Sequence, residues 1–197
     1  MGRASAAKKL KVSELALPAP LSKLDLGCGP NTREGFEGVD CTPFVGVKHV
    51  VDLKITPWPW ADNSVAEAHS SHFVEHLTSL ERVAFWNELY RVLVPGGTCQ
   101  IIVPHWNSCR AYGDPTHQWP ACSEFLWYYL SAEWRAGNAP HTDAQHVPGM
   151  LNCNFNATWG YTLRPDLGVR NQEYQQFAIA NYKEVIQDMV ATVTAVK

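Results

Sequence analysis

Up to residue 105 the chain alternates short apolar segments with turns and holds one stretch of helical periodicity. The apolar segments predict five strands, at 23–26, a segment ending at Asp40, a segment ending near Asp52, 65–71 and 98–104. Between the last two strands, apolar residues recur every three or four positions from Thr78 to Leu93, which predicts a helix that Pro95 and Gly96 end. The positions of this apolar stripe are Leu80, Val83, Ala84, Trp86, Leu89, Tyr90 and Leu93. Strands alternating with a helix and loops are typical of an α/β protein with a parallel sheet.

The pattern changes after residue 105. It predicts an aromatic helix over 122–135, a half-buried strand over 153–163, a helix over 173–186 and a β-branched strand over 189–196. A terminal strand pair would add antiparallel edges to the parallel core. The predicted fold is therefore a Rossmann-like, doubly wound, mostly parallel sheet with an antiparallel C-terminal strand pair. It occupies one domain over 21–197, preceded by a flexible tail over 1–20.

Composition and charge exclude several functions. The chain has 197 residues, a net charge of −3 and a pI near 6.2, so it offers no basic surface for nucleic acid or anionic lipid. No signal peptide or membrane-spanning run is recognisable, and the default prediction is a cytoplasmic protein. Its six cysteines form no CxxC pair, which favours free thiols over disulfides.

Chemistry is concentrated at the segment "KLDLGCGPN", residues 23–31. Gly27 and Gly29 follow the first strand, where bare backbone permits unusual dihedral angles and close approach of a ligand. Asp40 ends the next strand and could accept hydrogen bonds from ribose hydroxyls, while Asp52 could accept one from an adenine amino group. A dinucleotide site needs a third glycine and a longer crossover, and a Walker loop needs a GK[ST] that is absent. Two glycines followed by aspartates at two strand ends favour instead a nucleoside that carries an amino-acid tail and no phosphate.

The chain resembles class I S-adenosylmethionine-dependent methyltransferases of the small, type 11-like kind. The resembling segments, in the family's order over residues 22–104, are "KLDLGCGPN", "EGFEGVD", "VVDL…PWPWADNSV", "SSHFVEHL" and "FWNELYRVLVPGGTCQIIVP". "GDPTHQWP" is similar to a loop in a poorly characterised subset of the family. Asn31 replaces the usual third glycine and Ala66 a common aspartate. The resemblance implies seven strands, with a cofactor-binding half over 21–105 and an acceptor-side half over 106–197.

The resemblance also implies the cofactor, S-adenosyl-L-methionine, and the residues that bind it. Asp25, Gly27 and Gly29 would surround its methionine end, and Asp40 would hold the ribose. Asp52 and Leu53 would meet the adenine, and Ser71 and His72 would face the reactive sulfonium.

Three histidine patterns suggest further chemistry. "HFVEH" at 72–76 matches a zinc pattern in which His72 and His76 share a helix face beside Glu75; the favoured alternative is a helix start, and no metal is predicted. His117 or His105, at the ligand-binding end of the sheet, could take a proton from an acceptor, with Asp114 orienting His117. For His105 a purely structural role is the favoured alternative. For "DPTH" an Asx turn is an equal alternative.

The predicted function is methyl transfer from S-adenosylmethionine to an unidentified acceptor. The exocyclic-amine DNA signature is absent after the fourth strand, so a small molecule, a saccharide or a protein side chain is favoured over DNA. Trp106, Trp119 and residues 127–129 would shape the acceptor wall. Two alternatives are a non-catalytic module with a methyltransferase-like fold and, less favoured, a zinc hydrolase. No membrane partner is predicted, and the oligomeric state is open.

Overall fold

A computed structural model describes residues 21–197, and the tail predicted at 1–20 lies outside the described residues. The seven strands are β1 (Ser22–Leu26), β2 (Glu37–Asp40), β3 (Val47–Val50), β4 (Val65–Ser71), β5 (Leu93–Pro104), β6 (Phe155–Leu163) and β7 (Ile186–Ala195). They form one sheet of order β3-β2-β1-β4-β5-β7-β6. β7 is antiparallel to β5 and β6, and the other neighbours are parallel. The predicted fold class is confirmed.

The helices lie in three of the connections between strands. They are α1 (Ser79–Val92), α2 (Arg110–Gly113), α3 (Glu124–Tyr129), α4 (Ala132–Asn138), α5 (Asp143–His146), α6 (Pro165–Gly168) and α7 (Gln172–Asn181). α1 joins β4 to β5, α2 to α5 lie between β5 and β6, and α6 and α7 lie between β6 and β7. Within residues 21–197, loops and turns alone connect β1 to β2, β2 to β3 and β3 to β4. None of the helices described is long and apolar enough to cross a membrane.

α1 begins where its sequence predicts and ends slightly earlier. The Thr78 hydroxyl accepts a hydrogen bond from the Glu81 amide, and the Glu81 carboxylate accepts one from the Thr78 amide, which forms a capping box. The helix stops at Val92, because Leu93 is extended and pairs with β4. The predicted stop at residues 95–97 is wrong: that segment belongs to β5, where Gly96 adopts a positive φ of 76°.

The aromatic helix predicted over 122–135 is two helices, α3 and α4. The chain breaks between them because the Leu130 carbonyl accepts a hydrogen bond from the amide of Phe155, the first residue of β6. Ser131 then caps α4 by accepting a hydrogen bond from the Trp134 amide at 3.2 Å. The break docks the helices against the sheet edge.

The two faces of the sheet differ in character. One face packs apolar side chains against α1 and α3; its buried members include Leu24, Leu26, Ala68, Ile101, Val103, Met189 and Val193. The other face carries polar side chains at the alternate positions, among them Lys23, Glu67, His69 and Gln100. All six cysteines are free thiols, as predicted. Polar side chains at the carboxyl ends of these strands are therefore candidates for a functional site.

Candidate active site

The turn after β1 holds two glycines with different tasks. Gly27 and Gly29 both have positive φ, 69° and 55°, in the region that favours glycine. A Cβ at Gly27 would lie 2.4 Å from the Phe73 ring, whereas nothing lies within 4 Å of one at Gly29. At Gly27 the Phe73 ring fills the space that a side chain would need, so glycine at this position serves internal packing, and close approach of a ligand there stays a prediction. The bare backbone open to a ligand is at Gly29.

Asp40, at the end of β2, stabilises this turn through hydrogen bonds to its carboxylate. Its Oδ2 accepts a hydrogen bond from the Gly29 amide at 2.9 Å, and its Oδ1 accepts one from the Thr42 amide at 2.8 Å. Each carboxylate oxygen has a second lone pair, so Asp40 can still accept hydrogen bonds from a ligand. The carboxylate thus lies against Gly29, which is the glycine of this turn whose surroundings are open.

Asp52 and Leu53 follow β3, next to β2 in the sheet. Asp52 is exposed, and its Oδ1 accepts a hydrogen bond from the Lys54 amide at 3.0 Å. The Leu53 side chain is part of the core, and its carbonyl accepts a hydrogen bond from the Trp58 indole at 3.0 Å. A ligand can therefore meet Leu53 only through its backbone.

Asp25 lies beneath the turn and is 2% exposed. Its Oδ2 accepts a hydrogen bond from the Arg33 amide at 2.7 Å, and its Oδ1 lies 2.7 Å from Nδ1 of His69. Asp25 and His69 are register partners on β1 and β4, so their side chains share one face of the sheet. Sequence reasoning found Asp25 and missed His69, since only the strand register brings these residues together.

A cavity of about 340 Å³ opens over these groups; its lining residues are Asp25, Cys28, Asn31, His69, Ser71 and His72. It brings together three residues predicted to bind the cofactor: Asp25, Ser71 and His72. Burial raises the pKa of the Cys28 thiol, so that side chain stays neutral. The result is a polar cavity at the carboxyl ends of β1 and β4.

A second cavity of about 340 Å³ adjoins the first; its lining residues are His72, Glu75, His76, Pro104, Arg110, Gly113, Asp114 and His117. His72 lines both cavities. The structure thus brings the predicted residues Asp114 and His117 to the same place as His72. The sequence pattern did not single out Arg110, whose Nη1 lies 3.0 Å from Oδ2 of Asp188.

His72 has a strained backbone, with a φ of 54°. Its Nδ1 lies 3.1 Å from Oε1 of Glu75, and this hydrogen bond raises the pKa of His72. Residues Val74–His76 form a single 3-10 turn rather than an α-helix. The zinc pattern in which His72 and His76 share one helix face is therefore wrong, because no α-helix forms over these residues and His72 forms a hydrogen bond with Glu75.

The "DPTH" segment is an Asx turn, in agreement with one of its two interpretations. Oδ1 of Asp114 accepts hydrogen bonds from the amide and the hydroxyl of Thr116, at 2.8 and 2.7 Å. These bonds hold the pKa of Asp114 below its ordinary value, so the carboxylate is ionised at neutral pH. The turn also aims its histidine: Nδ1 of His117 lies 3.2 Å from the Ala111 carbonyl.

His105 differs from its predicted role as a proton acceptor. It is 2% exposed and lies outside the lining of both cavities. Its Nδ1 accepts a hydrogen bond from the Asn107 amide at 3.3 Å, and its Nε2 lies 3.0 Å from Oε1 of Glu124. Both ring nitrogens are engaged, so His105 has none left for an acceptor's proton. We assign it to the core.

The predicted aromatic wall is only partly present. Trp127 is buried, with its ring centroid 6.3 Å from that of Trp86, so it belongs to the core. Trp106 and Trp119 are exposed. Trp119 lines a neighbouring hollow that shares Asp114 and His117 with the second cavity. Trp119 is thus a predicted wall residue that lies beside the second cavity.

Comparison with solved structures identifies the fold. A SAM-dependent methyltransferase from Archaeoglobus fulgidus superposes with a TM-score of 0.62 at 17% identity, over 89% of this chain and 86% of that one. A SAM-dependent methyltransferase from Methanosarcina mazei gives 0.52 at 13% identity, over 89% and 92%. No protein-family model and no curated protein matches the sequence. At these identities the likeness establishes the fold shared with these methyltransferases.

Proposed function

We propose that this protein transfers a methyl group from S-adenosylmethionine to an acceptor bound beside His72. The observation that carries the proposal is the pair of adjoining cavities that share His72 at the carboxyl ends of β1, β4 and β5. Open parallel sheets bind ligands at this edge. One cavity would take the donor and the other the acceptor. The methyltransferases of similar fold support this reading.

The residues around the first cavity suit the parts of the donor. Asp25, Ser71 and His72 line the space for the methionine end, next to the open backbone of Gly29. Oxygens of Asp40 would accept hydrogen bonds from the ribose hydroxyls. The Asp52 carboxylate and the Leu53 amide would meet the adenine edge. These roles retain the predicted set except for Gly27, which accommodates Phe73.

S-adenosylmethionine supplies a methyl group bonded to a positively charged sulfur. A lone pair of the acceptor forms a bond to the methyl carbon while the carbon–sulfur bond breaks, and the electrons of the broken bond stay on sulfur. The chain must align the two reactants at about 3–3.5 Å. It must also receive a proton from a neutral acceptor. His117 can do so, because its Nδ1–H donates to the Ala111 carbonyl and leaves the Nε2 lone pair free. Asp114 lies 3.9 Å from that nitrogen and would stabilise the imidazolium.

The second cavity indicates the class of acceptor. It holds the carboxylates of Glu75 and Asp114, the guanidinium of Arg110 and two imidazoles, so its chemistry is polar. A small molecule or saccharide with hydroxyl or amine groups suits it better than an apolar one. The net charge of −3 argues against DNA.

Calorimetric titration with S-adenosylmethionine and S-adenosylhomocysteine tests the donor site. We expect both to bind and both to raise the melting temperature, the tighter ligand by more at equal concentration. NAD serves as the control ligand and should not bind. If neither adenosyl compound binds the folded chain, the proposal fails. If both bind but no polar acceptor yields S-adenosylhomocysteine, the chain is a binding module with a methyltransferase fold.

A further inference from the structure

We propose that Glu75, His76 and His117 form a binding site for a divalent transition metal of the zinc class. One ligand atom from each of the three lies within 4.8 Å of the others. All three line the second cavity. The sequence pattern paired His72 with His76 and predicted no metal. The trio arises only in the fold, where "HFVEH" meets "DPTH".

The tautomer of His117 leaves a ligand nitrogen free. The Ala111 carbonyl can only accept a hydrogen bond, so the 3.2 Å contact places a proton on Nδ1 of His117. Nε2 then carries the lone pair. Metal-binding histidines are fixed in this way, with the other ring nitrogen donating to a carbonyl or carboxylate.

Two consecutive hydrogen bonds, through Thr116 to Asp114, fix the tautomer of His76. The Thr116 hydroxyl donates its single proton to Oδ1 of Asp114 at 2.7 Å. Its oxygen must therefore accept from Nδ1 of His76, which lies 2.9 Å away. Nε2 of His76 is again the unprotonated nitrogen. The two rings meet edge to face, with centroids 4.7 Å apart.

The environment of Glu75 is a second observation that supports a metal site, independent of the clustering of the three residues. It is 4% exposed, its Oε1 is engaged by His72, and its Oε2 has no hydrogen-bond partner within residues 21–197. A buried oxygen without a partner costs about 1–3 kcal/mol, and more for a charged group. Metal coordination would satisfy it. The carboxylate would also offset part of the metal's charge.

The two segments that carry these ligands are fastened together by Arg82, which is buried on α1. Its guanidinium donates to the carbonyls of Val74 and Glu75 on one segment, and of Gln118 and Pro120 on the other. In addition, the Gln118 amide donates to the Glu75 carbonyl at 2.8 Å. The backbone frame of the site is therefore set before any ion binds.

Two imidazoles and one carboxylate favour zinc over magnesium or calcium, which prefer oxygen ligands. Zinc lies about 2.0–2.2 Å from such ligands, so pairs of them stand about 3.4 Å apart. Small side-chain rotations would bring the ligand atoms, which now lie within 4.8 Å of one another, to this shorter distance. Three protein ligands leave an open coordination position, which would face the second cavity. If the proposed function holds, an oxygen of the acceptor would take that position, and the metal would lower the pKa of its hydroxyl, whose proton would pass to solvent. In the metal-loaded protein His117 would then act as a ligand instead of as the proton acceptor.

Zinc titration of chelator-treated protein, in competition with a chromophoric chelator, tests the site. We expect one zinc per chain. His76→Ala, His117→Ala and Glu75→Gln should each weaken binding about a hundredfold or more, and Thr116→Val about tenfold to a hundredfold through the lost orientation of His76. His141→Ala, which removes an exposed histidine outside the cluster, is the matched control and should leave affinity unchanged.

Cobalt(II) substitution gives a readout that a folding defect would not mimic. We expect visible absorption bands of four- or five-coordinate cobalt in the wild type and the control, and their loss in His117→Ala, which circular dichroism should find folded. Absence of stoichiometric zinc binding, or equal losses in the control and cluster variants, overturns the metal site. S-adenosylmethionine titration of the same samples is independent: its failure alone would overturn the proposed function and leave the metal site standing.

Discussion

The backbone amide of Gly29 donates a hydrogen bond to Oδ2 of Asp40 at 2.9 Å, and this bond ties the end of β1 to the end of β2. The carboxylate therefore shapes the turn in addition to the ribose-binding role proposed for it. An alanine at position 40 would disturb both roles at once. An asparagine retains the size of the side chain and removes its charge.

Asp40→Asn should weaken S-adenosylmethionine binding about tenfold to a hundredfold, because hydrogen bonds to a charged acceptor are worth about 1.5–3 kcal/mol. Calorimetric titration measures it, with Asp143→Asn, at an exposed position on α5, as the control. Unchanged affinity in Asp40→Asn would remove the ribose assignment.

Gly27→Ala should lower the free energy of unfolding more than Gly29→Ala. Both substitutions place alanine in the left-handed region, at about 1–2 kcal/mol each. Only Gly27→Ala also overlaps Phe73, which adds about 1–3 kcal/mol. Urea unfolding of the two variants measures the difference.

A double variant isolates the cause. In a Phe73→Ala background, Gly27→Ala should cost only about as much as Gly29→Ala does in the wild type. Additivity of Gly27→Ala and Phe73→Ala would show that their contact is not the reason for glycine at position 27.

The sequence predicted the strands well and the partners of side chains poorly. β4 was predicted to the residue, because its apolar and polar positions lie in one continuous segment. The apolar stripe of α1 included Leu80, which is exposed, and omitted Arg82, which is buried. The positions that Arg82 contacts lie up to 38 residues away, and no local periodicity reports such a contact.

The candidate site shows the same difference between what local sequence predicts and what it does not. Asp25, Ser71 and His72 were predictable because each lies at or just beyond a strand end. His69 and His76 were not placed correctly, since their partners, Asp25 and Thr116, come from other segments. For His105 the sequence left a catalytic role open, because position after a strand does not reveal that Glu124 and Asn107 engage both its nitrogens.

Arg82→Met should lower the free energy of unfolding by about 2–4 kcal/mol, because it leaves buried carbonyls without donors while keeping the apolar stem. Arg170→Met, at an exposed position, should stay within about 0.5 kcal/mol. Urea unfolding of both variants makes the comparison, and equal effects would contradict the role given to the guanidinium.

Glu88 should contribute to acid sensitivity. It accepts hydrogen bonds from the Arg91 guanidinium and the Trp58 amide, and the Arg91 bond holds its pKa below 4.5. A carboxyl whose pKa is lowered by folding stabilises the protein above its unfolded pKa, and that stabilisation is lost as pH falls through the folded value. The free energy of unfolding of the wild type should therefore decrease as the pH drops below about 4.5.

Glu88→Gln is the test of this assignment. It should be less stable than the wild type at pH 7, and the gap should narrow as pH falls below about 4.5, because the wild type then loses the same charge. Urea unfolding at a series of pH values measures the gap. A gap that stays constant down to pH 3 would assign the acid sensitivity to other groups.

His105→Ala and His117→Ala should separate a core histidine from a site histidine. His105→Ala removes a buried ring and leaves the Asn107 amide without its acceptor, so the free energy of unfolding should fall by about 2–4 kcal/mol. His117→Ala removes a ring that lines the second cavity and should cost about 1 kcal/mol or less. Neither ring lines the first cavity, so both variants, when folded, should bind S-adenosylmethionine as the wild type does. Urea unfolding and calorimetric titration measure the two quantities. A His105→Ala protein of wild-type stability that no longer binds the cofactor would return His105 to the active site.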